Sequence, residues 1–243
     1  MDNGIRKKLF DNYSSRVDKL DATSFEKFEW FNKYFNRFYK KSFEKFNSKN
    51  INILEVGCNR GYLLKVIKNN GYDNLVGIDL SGDDLEFARK MNLNCELLKS
   101  DAFEFLSKNK SKFDVIIIKA VLEHIPKDKV EELIKLMYES LKSGGQLIID
   151  VPNMDWFFAS HERYMDFTHE VGFTKESLDQ VVRLFFNKYE IFTADNIMID
   201  NFFYNIRKNL ARKLIETIFR WADSEGMSNP VWNRSLISVC EKN

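Results

Sequence analysis

The sequence predicts an α/β fold built on a mostly parallel sheet, and three observations carry that prediction. From residue 51 onward, short apolar runs alternate with helix-length amphipathic segments, which is the rhythm of βαβ units. The run "VIII" at 115–118 is apolar at every position, as a central parallel strand covered on both faces must be. The closing run "SLISVCEK" is apolar again after a long interruption, which fits one last strand.

Residues 1 to 50 read as a helical cap. The stretch "SFEKFEWFNKYFNRFYKKSFEKF" sets Phe28, Phe31, Phe35 and Phe38 at intervals of three and four, with Lys, Arg, Glu and Asn between them. That is the period of an amphipathic helix. Its apolar face packs on the main domain or, as a lid, lines a substrate cleft. "INILEVG" is the first strand, and "NLVGIDLS", "CELLKSD", "FDVIIIKAV" and "GGQLIIDVPN" follow as strands two to five. Residues 154 to 173 interrupt the alternation. A helix over roughly 174 to 187, opened by Thr174 as N-cap, and the strand "YEIFTADNI" resume it. Residues 200 to 222 have a helical pattern, and a polar turn containing "EGMSNP" leads to the seventh strand. The expected organisation is a cap over 1–50 and one domain over 51–243, with insertions at 154–173 and 198–235.

Composition narrows the function classes. The chain has 243 residues, with 37 Lys+Arg against 36 Asp+Glu. A net charge of +1 gives no global field toward nucleic acid or a lipid surface. Cys58, Cys95 and Cys240 are scattered without a C-x-x-C, which argues against a disulfide scaffold or a cysteine-built zinc site. The start, "MDNGIRKKLF", lacks the apolar core of a signal peptide, and no run approaches the ~18 apolar residues of a membrane span. The expectation is a cytoplasmic chain with a small-molecule substrate, no nucleic-acid partner and no membrane span.

The turn after the first strand, "LEVGCNRGYLL", carries Glu55, Gly57, Cys58, Asn59 and Gly61. It reads E-x-G-x-x-x-G, and Asn59 stands where a dinucleotide binder has its second glycine. Glycine permits the tight turn and lets a ligand approach, and the helix behind offers free N–H donors. The missing glycine favours a cofactor without a pyrophosphate. Asp79 ends the second strand, 22 positions after Gly57, where an acid accepts both hydroxyls of a ribose. Asp101, at the end of the third strand, can accept adenine amino hydrogens, with Ala102 and Phe103 beside the ring.

On "EVGCNRG", "GIDLS", "KSDAF", "FDVIIIKAVLEHI" and "LKSGGQLIIDVPN", in that order, residues 51–153 resemble class I S-adenosylmethionine-dependent methyltransferases. The resemblance implies a Rossmann-like sheet of seven strands, the last two an antiparallel hairpin. It implies S-adenosyl-L-methionine as cofactor and S-adenosyl-L-homocysteine as product. The methionine part would lie along Glu55 to Gly61, the ribose at Asp79 and Leu80, and the adenine at Asp101 and Ala102. The segment from Lys119 and Ala120 to Glu123 would form the floor beneath the sulfonium. Methyltransferases acting on DNA adenine resemble one another in an N-P-P-[FY] motif, and this chain has "KAVLEH" in that place.

The stretch "HERYMDFTHE" at 161–170 holds two of the chain's three histidines and follows the fifth strand, at the carboxyl edge where open α/β sheets bind ligands. If the acceptor is a hydroxyl, its proton must leave, and a base helps; His169 is the candidate, with Asp166 or Glu170 to orient it. If the acceptor is a phosphoryl oxygen, cationic orientation matters more; Arg163 is the candidate clamp, with Tyr164 as hydrogen-bond partner. His124, after the fourth strand, falls on the same edge. The competing readings are that His169, Asp166 and Thr168 only pin the loop, and that His124 only opens a helix near Pro126. His161, Asp166, His169 and Glu170 have metal-ligand chemistry, but their spacing defines no metal site, so none is expected. The block "RYMDFTHEVGFTKESLDQVV" is similar to a segment of methyltransferases from bacterial surface-polysaccharide clusters. That similarity implies O-methylation of a sugar hydroxyl or a phosphoryl (for example phosphoramidate) oxygen on a nucleotide-activated saccharide or phosphoryl precursor. The alternatives are another small metabolite, an RNA, or a non-catalytic subunit that binds the cofactor.

Overall fold

The computed structural model describes residues 24–195, 199, 201–222 and 231–243; the first part of the expected cap and the "EGMSNP" turn lie outside the described residues. Every apolar run picked out above forms a strand: β1 (Ile53–Val56), β2 (Leu75–Asp79), β3 (Glu96–Lys99), β4 (Phe113–Lys119), β5 (Leu141–Pro152), β6 (Lys188–Ala194) and β7 (Ser235–Glu241). They form one sheet in the order β3-β2-β1-β4-β5-β7-β6. β7 is antiparallel to both of its neighbours, and the other pairs are parallel. β4 is central, and its alternation works on both faces. Ile116 and Ile118 enter one apolar cluster, while Val115 and Ile117 enter the other.

The helices of the amino-terminal region are α1 (Ser24–Tyr34), a π-helical turn over Phe35–Tyr39, and α2 (Lys40–Glu44). The flanking helices are α3 (Tyr62–Asn69), α4 (Gly82–Lys90), α5 (Ala102–Ser107) and α6 (Val130–Ser140), followed by α7 (Ala159–Tyr164), α8 (Lys175–Val182) and α9 (Phe202–Ala222). Thr174 caps α8 as expected: it accepts from the Ser177 N–H, and the Ser177 hydroxyl answers to the Thr174 N–H, closing a capping box. Among the described residues no helix is long and apolar enough to cross a membrane.

The expected boundary at residue 50 is not a boundary in packing. Tyr34, Phe35, Tyr39 and Phe43 are fully buried and share one cluster with Ile53, Leu64 and Ile67 of β1 and α3. At about 1.5–3 kcal/mol per buried large apolar side chain, the aromatic helices are a structural part of the domain. The π turn has a geometric effect. In an α-helix, residues five apart point about 140° from each other; in a π turn they stack one above the other. Tyr34 and Tyr39 flank that turn and both reach the same atom at the sheet edge.

Candidate active site

The chain leaves β1 through Gly57 and Gly61, at φ +73° and +75°, the left-handed region that favours glycine. A Cβ on Gly57 would meet Val121 Cγ2 at 2.2 Å, and one on Gly61 would meet Leu93 Cδ1 at 2.8 Å. The tight turn expected here and close internal packing both call for these glycines. The turn is tied to β2 by Asp79. Its Oδ2 accepts from the Asn59 N–H at 2.8 Å and its Oδ1 from the Ser81 N–H at 2.8 Å. Burial raises the Asp79 carboxyl above its ordinary range, with those backbone donors opposing the rise.

Glu55 and Cys58, expected along the methionine part of the cofactor, are both buried. Glu55 is 5% exposed and accepts from the Leu64 N–H at the start of α3, while its Oε2 has no hydrogen-bond partner among the described residues. Burial, then the nearby Asp79 charge, hold its carboxyl well above the usual range. Cys58 Sγ packs where Gly77 has no side chain, and burial pushes the thiol up. Asp101 is exposed and caps α5, its Oδ1 accepting from the N–H groups of Phe103 (2.8 Å) and Glu104 (3.2 Å). Between the two acids, at the carboxyl ends of adjacent strands, Leu80 is 51% exposed, with Ala102 partly buried nearby in sequence to Asp101. Two carboxylates flanking exposed apolar surface suit a ribose and an adenine, so this donor set fits an adenosine-bearing cofactor.

The floor is built by β4 and β5. Register places Lys119 beside Asp150, and Lys119 Nζ lies 2.9 Å from Asp150 Oδ2. The same oxygen accepts from the Tyr34 hydroxyl at 2.8 Å and the Tyr39 hydroxyl at 2.5 Å. A buried carboxylate with three donors is a satisfied charge. Burial and the Asp150 charge in turn hold both phenols well above their usual range. Lys119 Nζ also lies 4.5 Å from the Tyr34 ring centre and 5.5 Å from that of Trp30. Ala120 follows at φ +52°, an uncommon conformation for a residue with a Cβ; its N–H donates to the Asp150 carbonyl at 2.8 Å.

Glu123 and His124 form the next turn (Leu122–His124, 3-10) and are buried. Burial pushes the Glu123 carboxyl up to about 8. The stretch 161–170 folds over this turn: the N–H groups of Glu170 and Val171 donate to the Glu123 carbonyl at 2.8 and 3.1 Å. The His124 and His169 rings meet edge to face, 4.8 Å between centres. Thr168 Oγ1 donates to Asp166 Oδ1 at 2.7 Å and lies 2.9 Å from His124 Nδ1. His169 Nδ1 lies 2.8 Å from the Glu162 carbonyl.

Two candidates of this stretch do not line the cavity. Arg163 is a loop staple, because its guanidinium donates to the carbonyls of His169 (2.6 Å) and Glu170 (3.2 Å). Tyr164 is 78% exposed and is not among the residues that line the cavity. Sequence reasoning missed Arg234, which comes from the strand-leading segment before β7, pairs with Glu162 and lies 4.9 Å over the Trp156 ring. Its only sequence signal is a lone arginine before an apolar run. Asp150 and Glu162 were equally undistinguished.

These residues enclose a cavity of about 220 Å³, lined by Lys119, Glu123, His124, Asp150, His169 and Arg234 among others. A larger hollow of about 470 Å³ lies at the opposite, amino edge of the sheet, between Asn52, Asn74 and Glu96. It holds none of the groups described above, and the carboxyl-edge cavity is the candidate site.

A family model described as "Methyltransferase domain" matches residues 29–200. Over 188 residues the chain is 29% identical to carboxy-S-adenosyl-L-methionine synthase from Campylobacter fetus subsp. fetus, covering 72% of this chain and 75% of that protein. Over 105 residues it is 30% identical to the ubiquinone biosynthesis O-methyltransferase of Saccharophagus degradans, and there it spans less than half of either protein, 42% of this chain and 43% of that one. A SAM-dependent methyltransferase from Archaeoglobus fulgidus shares the fold with a TM-score of 0.65 at 21% identity, over 86% of this chain and 94% of that one.

Proposed function

This chain belongs to the methyltransferase-domain family, with S-adenosylmethionine as its cofactor, and on that premise we propose that it methylates a hydroxyl oxygen of a small saccharide acceptor. The acceptor class is a nucleotide-activated precursor of bacterial surface polysaccharide, supported by the segment at 163–182. The observation that carries the hydroxyl reading is the pairing of the cations in and beside the cavity. Arg163 is held by carbonyls, Lys119 by Asp150 and Arg234 by Glu162, so these candidate clamps for an anionic oxygen are already engaged. The proton-accepting imidazoles of His124 and His169 line the same cavity.

When bound, S-adenosylmethionine supplies a methyl group on positively charged sulfur. The protein's part is to hold the acceptor oxygen in line and to receive its proton as the oxygen–carbon bond forms. The Glu162 carbonyl can only accept, so His169 Nδ1 carries a hydrogen. Its Nε2 then bears the lone pair that takes the acceptor's proton. A volume of about 220 Å³, below the roughly 300–1,000 Å³ of drug-sized sites, suits one sugar ring better than a nucleic-acid strand.

The test is product analysis by liquid chromatography and mass spectrometry. The purified chain is given S-adenosylmethionine with nucleotide-activated sugars, sugar phosphates, phenols or an RNA oligonucleotide. The expected result is a methyl ether on a sugar together with S-adenosylhomocysteine. Methylation only at a phosphoryl oxygen, a phenol or RNA would overturn the reading, as would carboxy-S-adenosyl-L-methionine as the product.

A further inference from the structure

Glu123, His124 and His169 come from two segments on either side of β5, yet one ligand atom of each lies within 4.8 Å of the other two. The backbone bonds from Glu170 and Val171 to the Glu123 carbonyl hold the segments together. Hydrogen bonding also sets the tautomers. The Thr168 hydroxyl gives its one hydrogen to Asp166, so at His124 it accepts, and His124 Nδ1 carries the hydrogen. His169 Nδ1 does the same toward the Glu162 carbonyl. In each neutral ring Nε2 therefore bears the lone pair. Ligating histidines are oriented in this way, by a carbonyl or an oxygen acceptor behind the ring. A second observation is independent of the histidines: Glu123 is buried, and its Oε2 has no hydrogen-bond partner among the described residues. Buried carboxylate oxygens are normally satisfied, and a cation satisfies one.

We propose that Glu123, His124 and His169 hold a divalent first-row transition-metal ion, through two imidazole nitrogens and one carboxylate oxygen. The mixed nitrogen–oxygen set suits Mn²⁺, Fe²⁺, Co²⁺ or Zn²⁺ better than Mg²⁺ or Ca²⁺, which prefer oxygen alone. Metal–ligand bonds of about 2.0–2.2 Å place ligands about 3.0–3.4 Å apart, so a modest rotation of the side chains closes the set on an ion. The expectation that no metal binds was drawn from residues 161–170 alone; the fold brings Glu123 and His124 to His169. Three protein ligands leave coordination positions open toward the cavity. With the ion in place His169 Nε2 is a ligand and no longer the base; a hydroxyl bound to the ion would lose its proton more readily, as metal-bound water does, the proton leaving to solvent while the oxygen takes the methyl and the ion is unchanged. That role rests on the hydroxyl-acceptor reading above, whereas the binding of the ion does not.

The test needs no acceptor. The full chain, stripped with chelator, is titrated with Co²⁺ and read by visible absorption and by calorimetry, with Mn²⁺ and Zn²⁺ in parallel. One equivalent is expected to bind, with ligand-field bands in the cobalt form. Glu123→Gln and His169→Gln are each expected to weaken binding at least tenfold while keeping the wild-type circular dichroism and melting temperature. No uptake of any of the three ions by wild type would overturn the proposal, as would uptake that both folded variants retain. If the acceptor screen finds no methylated sugar but cobalt still binds through these residues, the hydroxyl reading fails and the metal site stands.

Discussion

His124 Nδ1 lies 2.9 Å from the hydroxyl of Thr168, and that hydroxyl gives its hydrogen to Asp166 2.7 Å away. The relay fixes one ring of the pair that lines the cavity. Thr168→Val keeps the side-chain shape and removes the acceptor behind a buried imidazole. A loss of about 1–3 kcal/mol in urea unfolding is expected, with Thr168→Ser recovering most of it. An unchanged unfolding midpoint would show that the hydroxyl does not hold the ring.

Arg163 staples the carbonyls of His169 and Glu170, so its removal loosens the loop that carries His169. Arg163→Ala is expected to lower kcat about tenfold, near 1.4 kcal/mol of barrier, with KM for the acceptor changed less than about twofold. Steady-state kinetics decide the matter. A large rise in KM at constant kcat would restore the anion-clamp role.

Asp79 joins the turn after β1 to the end of β2 through the N–H groups of Asn59 and Ser81. Hydrogen bonds to a charged group contribute about 1.5–3 kcal/mol. Asp79→Ala is thus expected to weaken S-adenosylhomocysteine binding roughly 10- to 150-fold by calorimetry. A mutant that binds as wild type does would remove Asp79 from the cofactor site.

Glu55 is held above the usual carboxylate range by burial. Between its unfolded value and its raised folded value, the folded state keeps a proton that the unfolded state has lost. Stability from this group is therefore complete below the unfolded pKa and falls as pH rises through the folded one. In thermal melts across that window, wild type is expected to lose stability with rising pH more steeply than Glu55→Gln. Parallel curves would show that Glu55 ionises freely in the folded protein.

The sheet was legible because its signals are local. "VIII" and "SLISVCEK" are strands by composition alone, and Thr174 announces its helix by side-chain type. The glycine turn was legible as well, although the packing that crowds Gly57 was not, since Val121 lies far from it in the chain. The cavity was half legible. His169 and His124 stood out because histidine is scarce here. Arg163 looked catalytic by residue type, yet its donors reach carbonyls six and seven residues away, a contact that no pattern encodes. Asp150, Arg234 and Glu162 acquire meaning only from strand register and from the return of the chain through β7.

Tyr34 and Tyr39 reach Asp150 together only because a π turn separates them. That turn makes the site depend on how the amino-terminal helix is wound. Wound as an ordinary α-helix at the same spacing, the two tyrosines would point about 140° apart. Asp150 would keep Lys119 and lose a hydroxyl, although no residue at the sheet edge itself had changed. The winding of a helix before β1 thus acts as a gauge for the floor of the site.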